Sequence, residues 1–438
     1  MKRKKLISLL CLLGLLLSLG GCFLDPAENL YAVPKQPESF YNLQSAIDAV
    51  MGGSATYSAP INGENQQSVQ TADLDGDGDD EAIVYINNGG DTPLCICVFD
   101  RQDDCYTLLG TIEGVGSAFD KVEYVRFDGE SGSEILVGRR LSDSVMQLLS
   151  VYSVRDGELV ELFNAPYHEF ITTDLDGDGL RDIVLLCQDA DATNGVAVYY
   201  HWSDGQPVRE LEADLSAPVS SVKRIITGKM CQNVKAVFVA SNYEEGLIVT
   251  DIFGLWEGSF TNFSRASEVQ TAREYYVYSN DIDADGVIEL PRLLNMPALD
   301  GDESSVGQSL ILWYNLLLSG REKQKCLTYH NYSGGWYLTI PESWARTLAV
   351  GRITALGSAS GYRFADADSG REIFRIVATS SDNAAQTIAG EGWTQLQQKG
   401  GNTYAFVLGP AAEEYDLDEA TLRSMFHLIR VDWKTGET

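Results

Sequence analysis

Apolar positions along the chain fall into three regimes. From Leu6 to Leu19 they form an almost unbroken run of 14 residues. Between Asn42 and Met51 they recur at Leu43, Ala46, Ile47, Val50 and Met51, the spacing of one face of a short amphipathic helix. Beyond that they come in runs of five to seven: VYINN, LCICVFD, EILVGRR, LLSVYSV, IVLLCQ, VAVYYHW and AVFVAS, each bounded by Gly, Asp, Asn or Ser. Short apolar or alternating runs broken by turn residues predict β-strands, so the body of the chain is expected to be all-β. A further helix is expected over Leu417 to Phe426, before the last strand.

The polar positions between these runs repeat. Residues 73–81 read DLDGDGDDE and precede AIVYI; residues 174–182 read DLDGDGLRD and precede IVLLC; residues 281–289 read DIDADGVIE and precede the weaker strand Leu290-Pro291-Arg292. Two eroded copies lie between, RFDGESGSE at 126–134 before ILVG and TGKMCQNVK at 227–235 before AVFVA. The starts are 53, 48, 53 and 54 residues apart. A period near 50 with several strands per unit predicts propeller blades, because a lone four-stranded sheet leaves both faces open. At about 54 residues per unit, Ile61 to Thr438 holds roughly seven blades, with six and eight also open. The last two are expected to run from GWYLTI to ITAL and from FRIVATS to LIRVDW.

Each intact copy carries carboxylates at positions 1, 3, 5 and 9 with glycine at 6. Calcium is a hard cation taking six to eight oxygens, and glycine lets the loop turn tightly enough to aim the carbonyl of position 7 inward. The expected ligand sets are Asp73, Asp75, Asp77, Asp79 carbonyl and Glu81; Asp174, Asp176, Asp178, Leu180 carbonyl and Asp182; and Asp281, Asp283, Asp285, Val287 carbonyl and Glu289. An EF-hand needs glutamate at position 12, where this chain has Val84, Leu185 and Arg292. Up to three calcium ions are therefore expected, in a structural role. The eroded copies read as metal-free, with the Arg126 guanidinium replacing the cation beside Asp128, Glu130 or Glu134, and with Lys229 and Lys235 in the other.

These loops and their spacing resemble the FG-GAP/VCBS repeats of integrin α-subunit-like propellers and of many secreted bacterial proteins. The resemblance covers residues 61–300 well and 301–438 weakly, and it rests on the calcium motif and the period. It implies four-stranded blades with the loops joining neighbouring strands on the propeller rim, and no particular activity. The expected fold is thus an all-β, seven-bladed β-propeller over 61–438 with a few short helical insertions.

The ends and the charge complete the picture. A basic start, Lys2 to Lys5, an apolar run too short to span a bilayer and the sequence Leu19-Gly20-Gly21-Cys22 predict a lipoprotein signal peptide over 1–21 with acylation of Cys22. Residues 22–60 are then a tether carrying Pro26, Pro34 and Pro37, followed by the short helix, and the body is anchored to the outer side of a bacterial membrane. Lys and Arg number 32 against 63 acids, and cleavage takes the net charge from −31 to −35, which excludes nucleic acid and anionic lipid as partners and favours cations. Of the six remaining cysteines, Cys95 or Cys97 is placed to face Cys105 across a hairpin, leaving a local disulfide open; Cys187, Cys231 and Cys326 read as buried thiols. No CxxC pair occurs, so zinc is not expected.

His168, His201, His330 and His427 are scattered, no serine elbow or phosphate loop appears, and no catalytic constellation is recognised. The chain is accordingly expected not to be an enzyme but a binding, adhesion or scaffold module for a protein or cell-wall glycan, with Trp202, Trp256, Trp313, Trp336 and Trp344 as candidate contacts. The alternative is a carbohydrate-active propeller enzyme, a lyase or hydrolase.

Overall fold

The computed structural model describes residues 38–430 except 54, 103–104, 130–131, 142–146, 190–192, 245, 267–270, 275–276, 356–358, 381–387, 389 and 391. The expected signal peptide and Cys22 lie outside the described residues. The fold is all-β. Six antiparallel sheets of four or five strands follow one another along the chain, against the seven expected by dividing its length.

The third sheet shows the construction: Glu169–Thr173, Asp182–Gln188, Gly195–Ser203 and Gln206–Asp214 pair in sequence order. Residues 183–187 are wholly apolar because the strand is buried on both faces. Ile183 and Leu185 pack on the second sheet with Val151 and Leu136, whereas Val184 and Leu186 pack on the fourth with Val237 and Val239. The first and second sheets share a core around Tyr85, Phe119 and Val137. The fourth and fifth meet at Phe238, Leu290 and Tyr314, the fifth and sixth at Trp336, Phe364 and Phe374. All seven strand runs expected from the sequence fall on strands.

The helix begins earlier than expected, at Glu38–Val50. Its Ile47 covers the outer face of the first sheet at Ala82, Cys95, Cys97 and Phe99. Ile388 and Trp393 pack on Val377 and Ala405 of the sixth sheet. The late helix is Glu419–Met425, capped by the Asp418 carboxylate. The strand after it, Phe426–Leu428, does not complete a last unit with FRIVATS; it pairs with Trp336–Ile340 in the fifth sheet. Thr394–Lys399 and Asn402–Leu408 complete the sixth sheet instead.

Strand register corrects the cysteine expectation. Cys105 lies opposite Gln102, whereas Cys97 faces Thr111 and Cys95 faces Glu113. All six described cysteines are free thiols, and Cys187, Cys231 and Cys326 are only partly buried.

Candidate metal loops and the adjoining cleft

The acidic stretches form the same loop three times. In the first, Asp73 Oδ1 accepts from Gly76 N at 2.7 Å, Asp75 Oδ1 from Asp77 N at 3.1 Å, and Asp77 Oδ1 from Asp79 N at 2.8 Å. The second repeats this with Asp174 on Gly177 N (2.8 Å), Asp176 on Asp178 N (3.0 Å) and Asp178 on Leu180 N (2.7 Å). In the third, Asp281 accepts from Asp285 N and Gly286 N, and Asp285 from Val287 N at 2.9 Å. Position 6 is left-handed in each, with φ of +93° at Gly78, +93° at Gly179 and +82° at Gly286. Position 4 is left-handed as well, at Gly76, Gly177 and Ala284.

The ninth residue closes each loop from beneath. Glu81 Oε2 accepts from Leu74 N at 2.6 Å, Asp182 Oδ2 from Leu175 N at 2.9 Å, and Glu289 Oε2 from Ile282 N at 3.1 Å. Glu134 of the first eroded copy makes the same bond to Phe127 N, so position 9 keeps its hold on the loop's backbone where Arg126 has replaced the first carboxylate. Of the partners expected for Arg126, Glu130 lies outside the described residues; Arg126 is exposed and among the described residues forms no ion pair, and a cation whose field reaches Glu134 is Arg155.

Ligand atoms converge differently in the three loops. Those of Asp73, Asp75 and Glu81 lie within 4.8 Å of one another, as do those of Asp174, Asp176 and Asp178, and of Asp281, Asp283 and Asp285. Glu81 is 1% exposed and its Oε1 has no hydrogen-bond partner. Burial first, then Asp75, Asp77 and Asp100, push its carboxyl up to about 7. A buried, half-satisfied carboxylate among like charges fits a bound cation, and an all-oxygen donor set suits a hard one. The other two loops carry an internal cation: Lys235 is paired with Asp174, and Lys325 lies 2.7 Å from Asp283 and 2.6 Å from Asp285.

One residue went unrecognised in the sequence. Glu81, Asp182 and Glu289 are each followed by a residue paired to an aromatic on the next strand, Phe99, Tyr200 and Tyr314. A β-bulge falls just before that aromatic in each sheet. The residue after the aromatic is Asp100, His201 or Asn315. Asn315 donates to Glu289 Oε1 at 2.7 Å, and His201 Nδ1 lies 3.4 Å from Asp182 Oδ1 and 3.8 Å from Asp176 Oδ2. The ligand atoms of Asp176, Asp182 and His201 form a fourth group within 4.8 Å. Burial raises the Asp182 carboxyl above its ordinary range despite the Leu175, Tyr199 and His201 hydrogen bonds.

His201 opens onto a cleft of about 380 Å³ between the third and fourth sheets, walled by Asp176, Tyr199, Leu255, Trp256 and Glu257. Trp256 is 44% exposed, whereas Trp313, Trp336 and Trp344 are buried in the core and Trp202 stacks on Phe127 at 4.7 Å. Of the five candidate tryptophans only Trp256 presents an open ring beside polar groups.

No family model matches the chain, and no curated protein matches it. Among solved structures the chain is similar to the exotype rhamnogalacturonan lyase YesX (12% identity, 74% of this chain and 67% of that one, TM-score 0.30). It is also similar to a rhamnogalacturonan lyase of Bacillus licheniformis (14%, 74% and 72%, TM-score 0.27) and to rhamnogalacturonan lyase YesW (13%, 73% and 72%, TM-score 0.29). At these TM-scores the likeness assigns no activity to this chain. The expectation of a binding, adhesion or scaffold module is corrected at its premise: reactive groups, expected nowhere to converge, do so at Asp176, Asp182 and His201.

Proposed function

We propose that the chain is a carbohydrate-active enzyme, working in the cleft between the third and fourth sheets. The observation that carries this reading is His201, held beside Asp182 and Asp176 at one side of an open cleft with Trp256, Leu255 and Glu257 around it. A sugar ring offers an apolar face and a rim of hydroxyls. The Trp256 ring and Leu255 suit the face, and the acids and imidazole suit the rim. His201 is the group to move a proton, with Asp182 orienting the ring. Glu257 and Asp176 are the carboxylates within reach of the same space.

The rest of the reading follows from the sequence and the loops. The six sheets are proposed to be blades of a β-propeller of the FG-GAP/VCBS kind, in place of seven. Calcium is the proposed ion of the acidic loops, most firmly at Asp73, Asp75 and Glu81, where it would supply the missing partner of Glu81 and neutralise the cluster. The protein is proposed to be tethered outside a bacterial membrane through Cys22, with cell-wall or environmental glycan as substrate.

The test is incubation of residues 23–438 with a panel of neutral and acidic polysaccharides. Unsaturated products mark a lyase, and new reducing ends alone mark a hydrolase. We expect turnover that falls at least about 100-fold in His201→Ala, the scale of a lost acid–base group, without loss of thermal stability. An equally active, equally stable His201→Ala, or a panel left intact, defeats the reading.

A further inference from the structure

We infer that Cys95 and Cys97, with Met51, bind a single soft monovalent cation of the copper(I) class on the outer face of the first sheet. The two cysteines lie two apart on strand Leu94–Gln102, so their side chains leave the same face of the sheet. Each is 2% exposed, and their sulfurs stand 3.9 Å apart. Ala82, Val84, Ile86 and Phe99 surround them, and Ile47 of the helix Glu38–Val50 closes over the cluster. Met51 donates its N–H to the Ile47 carbonyl at 2.9 Å and packs against the same cluster, adding a thioether to it. Two polar side chains serve the thiols: Asn88 is hydrogen-bonded to Cys95, and Thr111, paired opposite on the next strand, to Cys97.

The spacing suits an ion better than a disulfide. Residues two apart on a strand have Cα atoms about 6.6–6.8 Å apart, at the outer limit of the usual disulfide span of about 4.4–6.8 Å. This strand is paired on both sides, with Ile86 and Val84 opposite the two cysteines on one neighbour and Glu113 and Thr111 on the other. Its backbone is therefore held extended and resists the pucker a disulfide needs. An ion about 2.3 Å from each sulfur spans the 3.9 Å gap at an angle of about 116°, close to trigonal, which leaves one position for the Met51 thioether. Thiolate and thioether donors select soft ions. Zinc and iron–sulfur clusters take four ligands, and among the described residues no histidine, carboxylate or third cysteine groups with this pair. Copper(I) accepts three sulfurs. On binding, both thiols release their protons to solvent, which leaves one net negative charge over the ion. Asn88 and Thr111 are placed to meet that charge. The hydrogen bond from Cys95, with Thr111 behind it, already draws the Cys97 thiol below its ordinary range against its burial.

The experiment is anaerobic titration of reduced residues 23–438 with copper(I) against a chromophoric copper(I) chelator, with X-ray absorption at the copper edge of the loaded protein. We expect one ion per chain to be withheld from the chelator, with sulfur neighbours alone. Cys95→Ala and Cys97→Ala should each weaken binding at least about 100-fold, the upper scale for a lost outer partner of a metal site. Cys105→Ser, Cys187→Ser, Cys231→Ser and Cys326→Ser combined should keep the ion, and Met51→Leu should remove one of three sulfur neighbours. No ion withheld, nitrogen or oxygen neighbours, or affinity undiminished in Cys95→Ala and Cys97→Ala overturns the inference. A Met51→Leu spectrum identical to the parent's overturns the thioether's part in it. If Cys95→Ala or Cys97→Ala does not fold, the parent's spectrum and the ion's retention in the fourfold serine variant decide in its place.

Discussion

Lys235, the first residue of strand Lys235–Tyr243, is ion-paired to Asp174, the first carboxylate of the neighbouring sheet's acidic loop. Lys235 occupies the ninth position of the copy that has lost its own acids. The eroded repeat thus supplies a cation to the intact one beside it. Burial works against the Asp174 charge, and the hydrogen bond and charge of Lys235, together with the Gly177 and Gly179 N–H groups, outweigh it to leave the carboxyl below its ordinary range. An ammonium in the loop competes with a metal ion for the same oxygens. Removing it in Lys235→Met, in a background of Asp75→Asn and Asp283→Asn, is expected to raise calcium affinity about fivefold. That is the scale of a half-exposed pair worth roughly 1 kcal/mol. Calorimetric titration reads it directly, and unchanged affinity would show that the lysine swings clear at no cost.

The first loop has no such lysine, and Glu81 lacks one partner there. Chelation is therefore expected to lower the unfolding midpoint chiefly through this loop. A site with a dissociation constant of about 0.1 mM in 1–2 mM calcium gains about 1.4–1.8 kcal/mol. Asp75→Asn should remove more of the calcium-dependent rise than Asp283→Asn, whose loop retains Lys325 as an internal cation. Equal losses in the two variants would place the ion without regard to the lysines.

Much of this was legible in the sequence, for a physical reason. Strands such as Asp182–Gln188 are buried on both faces, so they appear as unbroken apolar runs, and acidic turns mark their starts. Pro291 made the third strand look weak. The structure shows why it is tolerated: among the described residues Leu290–Asn295 pairs with one strand, Ser309–Leu316, so Pro291 lies on a sheet edge. What remained hidden depends on long-range register. His201 meets Asp182 because Ile183 pairs with Tyr200, a fact absent from any local pattern. A signal did exist: Asp100, Ser153 and His201 each stand 19 residues after the ninth position of their repeat. The return of Phe426–Leu428 to the fifth sheet carries no local mark, which is why division by the period gave seven units.

Ala284 takes the left-handed conformation that Gly76 and Gly177 take in the sister loops, with φ of +63°. A Cβ there crowds the backbone, and glycine does not. Ala284→Gly is expected to stabilise the chain by about 0.5–1 kcal/mol and to strengthen calcium binding by the third loop. Denaturant unfolding with and without calcium measures both. Destabilisation would mean that the methyl group contributes packing that outweighs its strain.

Glu134 carries the pH dependence most open to test, because Arg126 stands where its loop's first carboxylate would be. Its Oε2 is buried without a partner. Burial first, then the Asp128 charge, raise its carboxyl to about 7, against hydrogen bonds from the backbone and the field of Arg155. The unfolded chain releases this proton near the ordinary glutamate value of 4.5. Below that pH both states hold the proton and the group is neutral in the balance. Between 4.5 and 7 the folded state keeps a proton the unfolded state has shed, so stability falls as pH rises and levels off above 7. Glu134→Gln keeps an acceptor for Phe127 N and removes the titration. Its stability relative to the parent should rise by about 1–2 kcal/mol from pH 5 to pH 8, allowing for partial solvent screening. Unfolding of both chains in chelator across that range gives the difference directly. A difference that stays flat would show Glu134 ionised throughout, with Arg155 close enough to compensate its burial.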